Sequence, residues 1–211
     1  MIRTLSVALL APLLAFAAPA AAGCKLALVL GLDISSSVNA REYAIQLGGL
    51  ADAFRKLQVQ EAILTPQGAS VAVMAFEWSG QKQQSVIADW TLLDSPASIA
   101  AFADRLNAHR RTASTLPTAV GQALSFAAEQ FRRAPPCTRR TVDISGDGEN
   151  NDGPTPNQVR ATGALAGLTV NGLVIQGAYP NPAIFYRAQV MQGPDAFVAL
   201  ARDFDDYPAV I

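Results

Sequence analysis

The chain has 211 residues, with 16 Lys and Arg against 17 Asp and Glu, a formal net charge of −1, and 50% hydrophobic residues. A balance so near neutral, with its basic residues scattered, excludes long-range attraction to nucleic acid or to an anionic lipid surface. The length suffices for one domain with a substantial core.

The first 22 residues have the pattern of a cleaved export signal. Arg3 is their only charge, residues 5–18 are apolar, and three alanines at positions 20–22 form a small-residue cleavage site. The Ala-richness and two prolines argue against a retained membrane helix. We therefore predict a signal peptide over residues 1–22, a mature domain over residues 23–211, and the periplasm as the destination in preference to full secretion.

Strand and helix signals then alternate along the chain, which predicts an α/β sandwich with a mostly parallel sheet. Residues 26–32 form an apolar first strand. Asn39 and Glu42 have the spacing of a capping box for the first helix. Apolar residues at helical spacing predict one buried face on that helix: Tyr43, Leu47, Leu50, Phe54 and Leu57.

A hairpin is predicted next, because strand 70–76 is followed by a turn and by a partner strand over residues 85–92, which we place at the sheet edge. Trp78 in this turn is interpreted as folding back onto the sheet in preference to anchoring a partner. Asp94 or Ser95, with Pro96, begins the next helix. The remaining predicted elements are a helix over 117–131, a strand ending at Asp147, a helix over 155–166, a strand over 168–175, a helix over 184–191, a strand over 196–200 and a final helix over 203–211.

Oxygen-bearing side chains follow the ends of two predicted strands and the start of a helix. Asp33, Ser35 and Ser37 come directly after the first strand, Asp147 ends a later one, and Thr118 lies at the amino end of a helix. Ligands in open α/β sheets bind outside the carboxyl ends of the strands. An all-oxygen ligand set suits a hard cation such as Mg²⁺. The alternative is that each segment is an ordinary cap or turn.

With these residues the chain resembles the von Willebrand factor type A domain over residues 25–211. That family's D-x-S-x-S, T-x-x-G-x-A-L and D-G motifs match Asp33/Ser35/Ser37, Thr118 and Asp147/Gly148 in order. The resemblance implies a central sheet with helices on both faces, a three-layer sandwich with one antiparallel edge strand, and a metal-ion-dependent adhesion site.

The resemblance also assigns roles to these residues. It implies that Ser35 and Ser37 bind the cation directly, that Asp33, Thr118 and Asp147 bind it directly or through water, and that a partner's carboxylate fills one open position. Mg²⁺ is the expected metal, with Mn²⁺ or Ca²⁺ as alternatives. Pro117 precedes Thr118 where relatives often have glycine, so Thr115 remains a second candidate for the threonine ligand.

Cys24 and Cys137 each lie shortly before a predicted strand. If those strands are parallel neighbours, both thiols lie at the same end of the sheet, within bridging distance. An exported protein meets an oxidising compartment, which favours a disulfide. Lipid attachment at Cys24 is the alternative, and the strand that begins almost at once leaves no tether for it.

Two further features have weaker interpretations. The polar loop that follows Asp147 is a candidate for partner specificity or simply a solvated loop: Glu149, Asn150, Asn151 and Asp152. His109 is interpreted as a surface residue and not a metal ligand, because two arginines follow it.

The leading function is an exported binding module that engages an acidic group on a partner protein through Mg²⁺. One alternative is a Mg²⁺-dependent phosphatase of the haloacid dehalogenase type, with Asp33 as nucleophile and residues 146–152 as the metal loop. That family places an aspartate acid/base two residues after the nucleophile, where this chain has Ser35. A metal-free structural scaffold is the other alternative.

Overall fold

The computed structural model describes residues 23–113 and 115–211, so the predicted signal peptide lies outside the described residues. The elements in chain order are β1 (Cys24–Asp33), α1 (Ala40–Arg55), α2 (Leu57–Leu64), β2 (Ser70–Trp78), β3 (Gln84–Leu93), α3 (Pro96–Ala108), α4 (Val120–Gln130), β4 (Arg139–Gly146), α5 (Pro156–Ala161), β5 (Thr169–Ile175), α6 (Pro182–Phe185), a π-helical turn (Tyr186–Val190), β6 (Val198–Ala201) and α7 (Tyr207–Val210).

The strands form one sheet in the order β3-β2-β1-β4-β5-β6. The pairs β2–β1, β1–β4, β4–β5 and β5–β6 are parallel, and the edge strand β3 pairs antiparallel with β2. The predicted α/β class, the mostly parallel sheet and the antiparallel edge strand are therefore confirmed.

Each face of the sheet has its own hydrophobic core, because successive side chains of a strand point to opposite faces. In β1, Leu30 and Leu32 belong to the core beneath α1 and α3, whereas Val29 belongs to the core beneath α4. Helices thus cover both faces, as a three-layer sandwich requires. Trp78 is fully buried in the second core, which confirms that it folds back onto the sheet.

The predicted helix starts are confirmed by their caps. The Asn39 side chain accepts a hydrogen bond from the Glu42 backbone N–H at 3.0 Å, and Glu42 Oε2 accepts one from the Asn39 N–H at 2.8 Å. Ser95 and Thr155 cap α3 and α5 in the same reciprocal way, each followed by a proline. These local hydrogen bonds fix where each helix begins.

Some helix ends differ from the prediction. The first helix ends at Arg55, because Lys56 adopts an extended conformation, and Leu57 begins α2 with 66% of its surface exposed. The prediction that Leu57 continues the buried face is therefore wrong. α5 ends at Ala161, short of the predicted residue 166, and Gly163 takes a left-handed φ of 79° that a continued helix does not allow.

Two other predicted helices are shorter than expected. The helix predicted from residue 117 begins at Val120, because residues 116–119 are held in backbone hydrogen bonds to other loops. The final helix covers only Tyr207–Val210, because the Asp206 carboxylate accepts hydrogen bonds from the backbone and side chain of Arg202 in the preceding turn.

Cys24 and Cys137 form the predicted disulfide, with their Cα atoms 4.5 Å apart. The Thr138 N–H also donates to the Cys24 carbonyl at 3.0 Å, so the segment before β4 is joined to the start of β1 twice. Within residues 23–113 and 115–211, no helix is both long and apolar enough to cross a lipid bilayer.

Candidate metal centre

The carboxyl ends of the three central strands lie level with one another. In the parallel register, Asp33 of β1 is opposite Trp78 of β2, and Leu32 is opposite Ser145 of β4. The segment after β1 and the segment after β4 therefore emerge side by side. This alignment brings Asp33 and Asp147 to the same edge of the sheet.

Hydrogen bonds connect the polar residues after β1 to Asp147. The Ser35 N–H donates to Asp33 Oδ1 at 2.7 Å, the hydroxyls of Ser35 and Ser37 are 3.1 Å apart, and the Ser37 hydroxyl donates to Asp147 Oδ1 at 2.7 Å. Four of the five predicted ligands thus form one continuous chain of contacts.

Thr118, the fifth predicted ligand, is buried beside this chain. Its hydroxyl oxygen lies 3.8 Å from the point that a Cβ on Gly148 would occupy, next to Asp147. The alternative threonine, Thr115, is exposed. The geometry therefore favours Thr118 as the hydroxyl that faces the site.

The loop that carries Thr118 is held by backbone contacts on both sides. The Ser36 N–H donates to the Leu116 carbonyl at 2.9 Å, and the Ala119 N–H donates to the Ser79 carbonyl at 2.9 Å. The Ser79 hydroxyl donates to the Pro117 carbonyl at 2.8 Å. The loop is thereby joined to segment 33–37 and to the end of β2.

The polar loop after Asp147 also positions Thr118. Asn151 Oδ1 accepts from the Thr118 N–H at 2.8 Å, and the Asn151 N–H donates to the Thr118 carbonyl at 2.9 Å. Asn150 Oδ1 accepts from the Gly121 N–H at 2.9 Å. Asp152 accepts from the Gln81 N–H and side-chain amide, which lowers the pKa of Asp152. Three side chains of this loop thus have structural roles. Its part in partner specificity stays a prediction.

Burial disfavours the ionised form of both the Asp33 and the Asp147 carboxylates. Burial, reinforced by the charge of Asp147, raises the pKa of Asp33 from 3.8 to about 7, against the lowering effects of Ser35 and Arg111. Burial also raises the pKa of Asp147. A bound cation favours the ionised form of a nearby carboxylate and would reverse these shifts.

The residues fit a hard divalent cation. Asp33 Oδ2 is buried and has no hydrogen-bond partner, although the other oxygen of the same carboxylate is paired. A lone buried carboxylate oxygen is unfavourable unless a cation or water contacts it. The set of two carboxylates and three hydroxyls suits Mg²⁺, Mn²⁺ or Ca²⁺. Among the described residues, no group of three or more His, Cys, Asp or Glu side chains is placed to hold a metal ion, so the hydroxyls would be essential ligands.

A buried glutamate beneath the site was missed by the sequence analysis. Glu77 is fully buried and accepts hydrogen bonds from the Tyr43 hydroxyl at 2.9 Å and from the backbone and hydroxyl of Thr112. His109 Nε2 lies 3.2 Å from Glu77 Oε2, and only 15% of the His109 side chain is exposed. The interpretation of His109 as a surface residue is therefore wrong, because its position is set by a distant carboxylate.

Arg111 was also missed, and it holds segment 33–37 from the side. Its guanidinium donates to the carbonyls of Ile34 and Ser35 at 2.8 and 3.2 Å. The same group lies over the Tyr43 ring, 5.6 Å from its centroid. No local pattern distinguishes this residue in the sequence, since its partners are backbone atoms far away in the chain.

A cleft of about 410 Å³ adjoins Asp147. Its lining combines residues at the start of α1 with residues after β5 and β6, among them Glu42, Gln176, Asp203 and Phe204. A partner that approached Asp147 would contact this cleft as well.

Comparisons with known proteins were made on the sequence and on the fold. A family profile with the description "Protein of unknown function (DUF1194)" matches residues 23–211. No curated protein sequence matches the chain.

Among solved structures, proximal thread matrix protein 1 from the mussel byssus aligns with a TM-score of 0.64 at 15% identity, over 89% of this chain and 46% of that one. A form of that protein with a zinc-occupied metal-ion-dependent adhesion site aligns with a TM-score of 0.59 at 16% identity, over 86% and 42%. A von Willebrand factor type A protein from Catenulispora acidiphila gives 0.59 at 18% identity, over 88% and 41%.

This chain spans less than half the length of each of these structures. At these identities the likeness establishes the fold, which is that of a von Willebrand factor type A domain.

Proposed function

We propose that this chain, which belongs to the family described as protein of unknown function DUF1194, is an exported binding module that uses a divalent cation to engage an acidic group on a partner protein. The observation that carries the proposal is the convergence of three distant segments on one sheet edge around a buried, unpartnered carboxylate oxygen of Asp33.

The proposed ligands are Asp33, Ser35, Ser37, Thr118 and Asp147. When bound, a divalent cation supplies a positive charge that a partner's carboxylate can ligate. Mg²⁺ is the first choice because few carboxylates and several hydroxyls suit a small, hydrated cation, and Mn²⁺ or Ca²⁺ are the alternatives. The zinc in the mussel thread matrix protein is a property of that protein and indicates no preference for zinc in this chain.

The proposed site has a buried base and a solvent-accessible face. Asp33 and Ser35 are fully buried and fixed by the strand end, whereas Ser36 and Ser37 are exposed. The cation would therefore be held from below and approached from above. A partner needs only one carboxylate at the centre, and contacts around the cleft beside Asp147 would set its affinity.

Binding is favoured over turnover. The phosphatase alternative requires an acid/base two residues after Asp33, and that position is Ser35, whose hydroxyl is 3.1 Å from the Ser37 hydroxyl. The metal-free scaffold alternative leaves the buried Asp33 Oδ2 without a hydrogen-bond partner from the protein, which is energetically costly.

Export is proposed on two grounds. Residues 1–22 have the composition of a signal peptide, and the Cys24–Cys137 disulfide fits an oxidising compartment. The periplasm is the proposed destination, and residues 23–211 are the proposed mature domain.

The test is capture of partners from a periplasmic extract by the immobilised mature domain. We expect capture in Mg²⁺, and loss of the same bands in EDTA and with Asp33→Ala. The control is Asp52→Ala, because the Asp52 side chain is 74% exposed on α1 and remote from the ligand set. Capture that persists in EDTA and in Asp33→Ala would contradict the proposal.

A further inference from the structure

A fully buried tyrosine lies directly beneath the candidate metal centre. Tyr186 begins the π-helical turn after α6 and is 0% exposed. Two strand glycines make room for it: a Cβ on Gly172 would lie 2.6 Å from its ring, and a Cβ on Gly146 would lie 2.5 Å from its hydroxyl. A glycine inside a strand often marks such a close approach, and π-helical turns are frequent at functional sites.

Neither the Tyr186 hydroxyl oxygen, Oη, nor the Asp33 carboxylate oxygen Oδ2 has a hydrogen-bond partner, and both atoms are buried. A Cβ added to Gly146 would lie 2.5 Å from Tyr186 Oη and 2.9 Å from Asp33 Oδ2. The two oxygens are therefore near enough for a single water molecule to contact both.

Leaving these atoms unpaired is expensive, because a buried donor or acceptor without a partner costs about 1–3 kcal/mol. Phenylalanine would fill the same space with the same ring and without that cost. A tyrosine at this position is therefore explained by what its hydroxyl donates to. Apart from Gly146 and its two chain neighbours, Asp33 Oδ2 supplies the acceptor nearest the Cβ position of Gly146.

We propose that Tyr186 is a positioning residue of the metal centre, whose hydroxyl donates through one water molecule to Asp33 Oδ2. This inference rests on the proposed function, since it concerns the same site. With the Ser35 N–H on Oδ1 and the Tyr186 hydroxyl on the side of Oδ2, the Asp33 carboxylate is fixed in one orientation before a cation arrives. Outer-shell donors of this kind typically raise metal affinity by about 10- to 100-fold.

The experiment compares Tyr186→Phe with wild type and with Tyr207→Phe. Tyr207 is a matched control, because it is also a buried tyrosine but belongs to the core on the opposite face of the sheet. Mn²⁺ is the probe, and its affinity is measured by electron paramagnetic resonance titration. Stability is measured separately by urea unfolding in EDTA.

We expect Tyr186→Phe to bind Mn²⁺ about 10- to 100-fold more weakly, whereas its stability in EDTA should change little, because the ring that fills the space between Gly146 and Gly172 is kept. Tyr207→Phe should bind Mn²⁺ as wild type does. A purely structural role for Tyr186 predicts the reverse pattern for Tyr186→Phe, a loss of stability with unchanged affinity, and that result would overturn the inference.

A second measurement uses unmutated protein, in case the variant does not fold. In wild type labelled at the tyrosine ring carbon that bears the hydroxyl, addition of Mg²⁺ should shift the Tyr186 resonance and leave that of Tyr207 in place. An unmoved Tyr186 resonance in protein that binds the metal refutes the inference alone. Wild type that binds no Mn²⁺ refutes the proposed function as well.

Discussion

The Ser37 hydroxyl donates a 2.7 Å hydrogen bond to Asp147 Oδ1, across 110 residues of sequence. This contact joins the segment after β1 to the segment after β4, which the parallel pairing of those strands has already brought side by side. In the proposed site both groups turn toward a cation, so the contact marks where ligands from two strands meet.

Removal of the Thr118 hydroxyl should weaken metal binding. Thr118→Val keeps the shape of the buried side chain and deletes one proposed ligand, so we expect Mn²⁺ affinity to fall by at least about 10-fold. Thr115→Val is the control, because Thr115 is the exposed alternative. A titration in which Thr115→Val loses affinity and Thr118→Val does not would reassign the ligand.

The metal-free protein should lose stability as the pH rises. Because the folded-state pKa of Asp33 is raised from 3.8 to about 7, the folded state binds this proton more tightly than the unfolded chain. The stabilisation is complete below about pH 4 and is lost as the pH rises toward about 7, at about 1.4 kcal/mol per unit of pKa shift.

Asp33→Asn should remove most of this dependence, because a neutral amide carries no buried charge at any pH. Asp147, whose pKa is also raised, leaves a residual slope of the same sign. Urea unfolding in EDTA across this pH range measures both proteins. Equal slopes for wild type and Asp33→Asn would show that Asp33 is not the titrating group.

Gly121 should not tolerate a side chain. A Cβ on Gly121 would lie 2.0 Å from the Pro154 carbonyl oxygen, so Gly121→Ala must displace either α4 or the loop before α5. We expect a loss of at least about 1–3 kcal/mol in the free energy of unfolding, the usual cost of overpacking.

Gly48→Ala is the matched control in α1, where no atom lies within 4 Å of the added Cβ. It should leave stability unchanged or raise it by up to about 1 kcal/mol, since alanine favours helix more than glycine does. Similar unfolding midpoints for the two variants would refute this explanation of Gly121.

The disulfide should contribute strongly to stability. Cys24 and Cys137 are 113 residues apart, and in the chain-entropy account a bond that closes a loop of this length stabilises by about 4–5 kcal/mol. We expect the double variant Cys24→Ser/Cys137→Ser to lose most of that amount in urea unfolding. Two free thiols in purified exported protein would contradict the pairing.

Much of the fold followed from local sequence signals. Apolar strands alternating with capped helices predicted the sheet, and the positions of the two cysteines before neighbouring strands predicted their bond. Helix ends were less predictable: no glycine or proline marks the break at Lys56, so Leu57 was placed on a buried face although it is exposed.

The proposed ligands were visible in the sequence because each follows a strand or precedes a helix. The side chains that support them were not visible in this way. Arg111 contacts backbone carbonyls, and His109 faces the buried Glu77. Tyr186 packs against one glycine of β4 and one of β5. Each of these positions depends on tertiary packing between segments far apart in sequence, which no local pattern encodes.

The central claim is that Asp33 and Asp147 share one divalent cation. Electron paramagnetic resonance titration of the mature domain with Mn²⁺ tests it most directly, on wild type, Asp33→Asn, Asp147→Asn and the exposed control Asp52→Asn. The account predicts one bound Mn²⁺ per chain in wild type and in Asp52→Asn, and loss of that binding in the other two variants. Equal Mn²⁺ binding by all four proteins, or none by wild type, would contradict it.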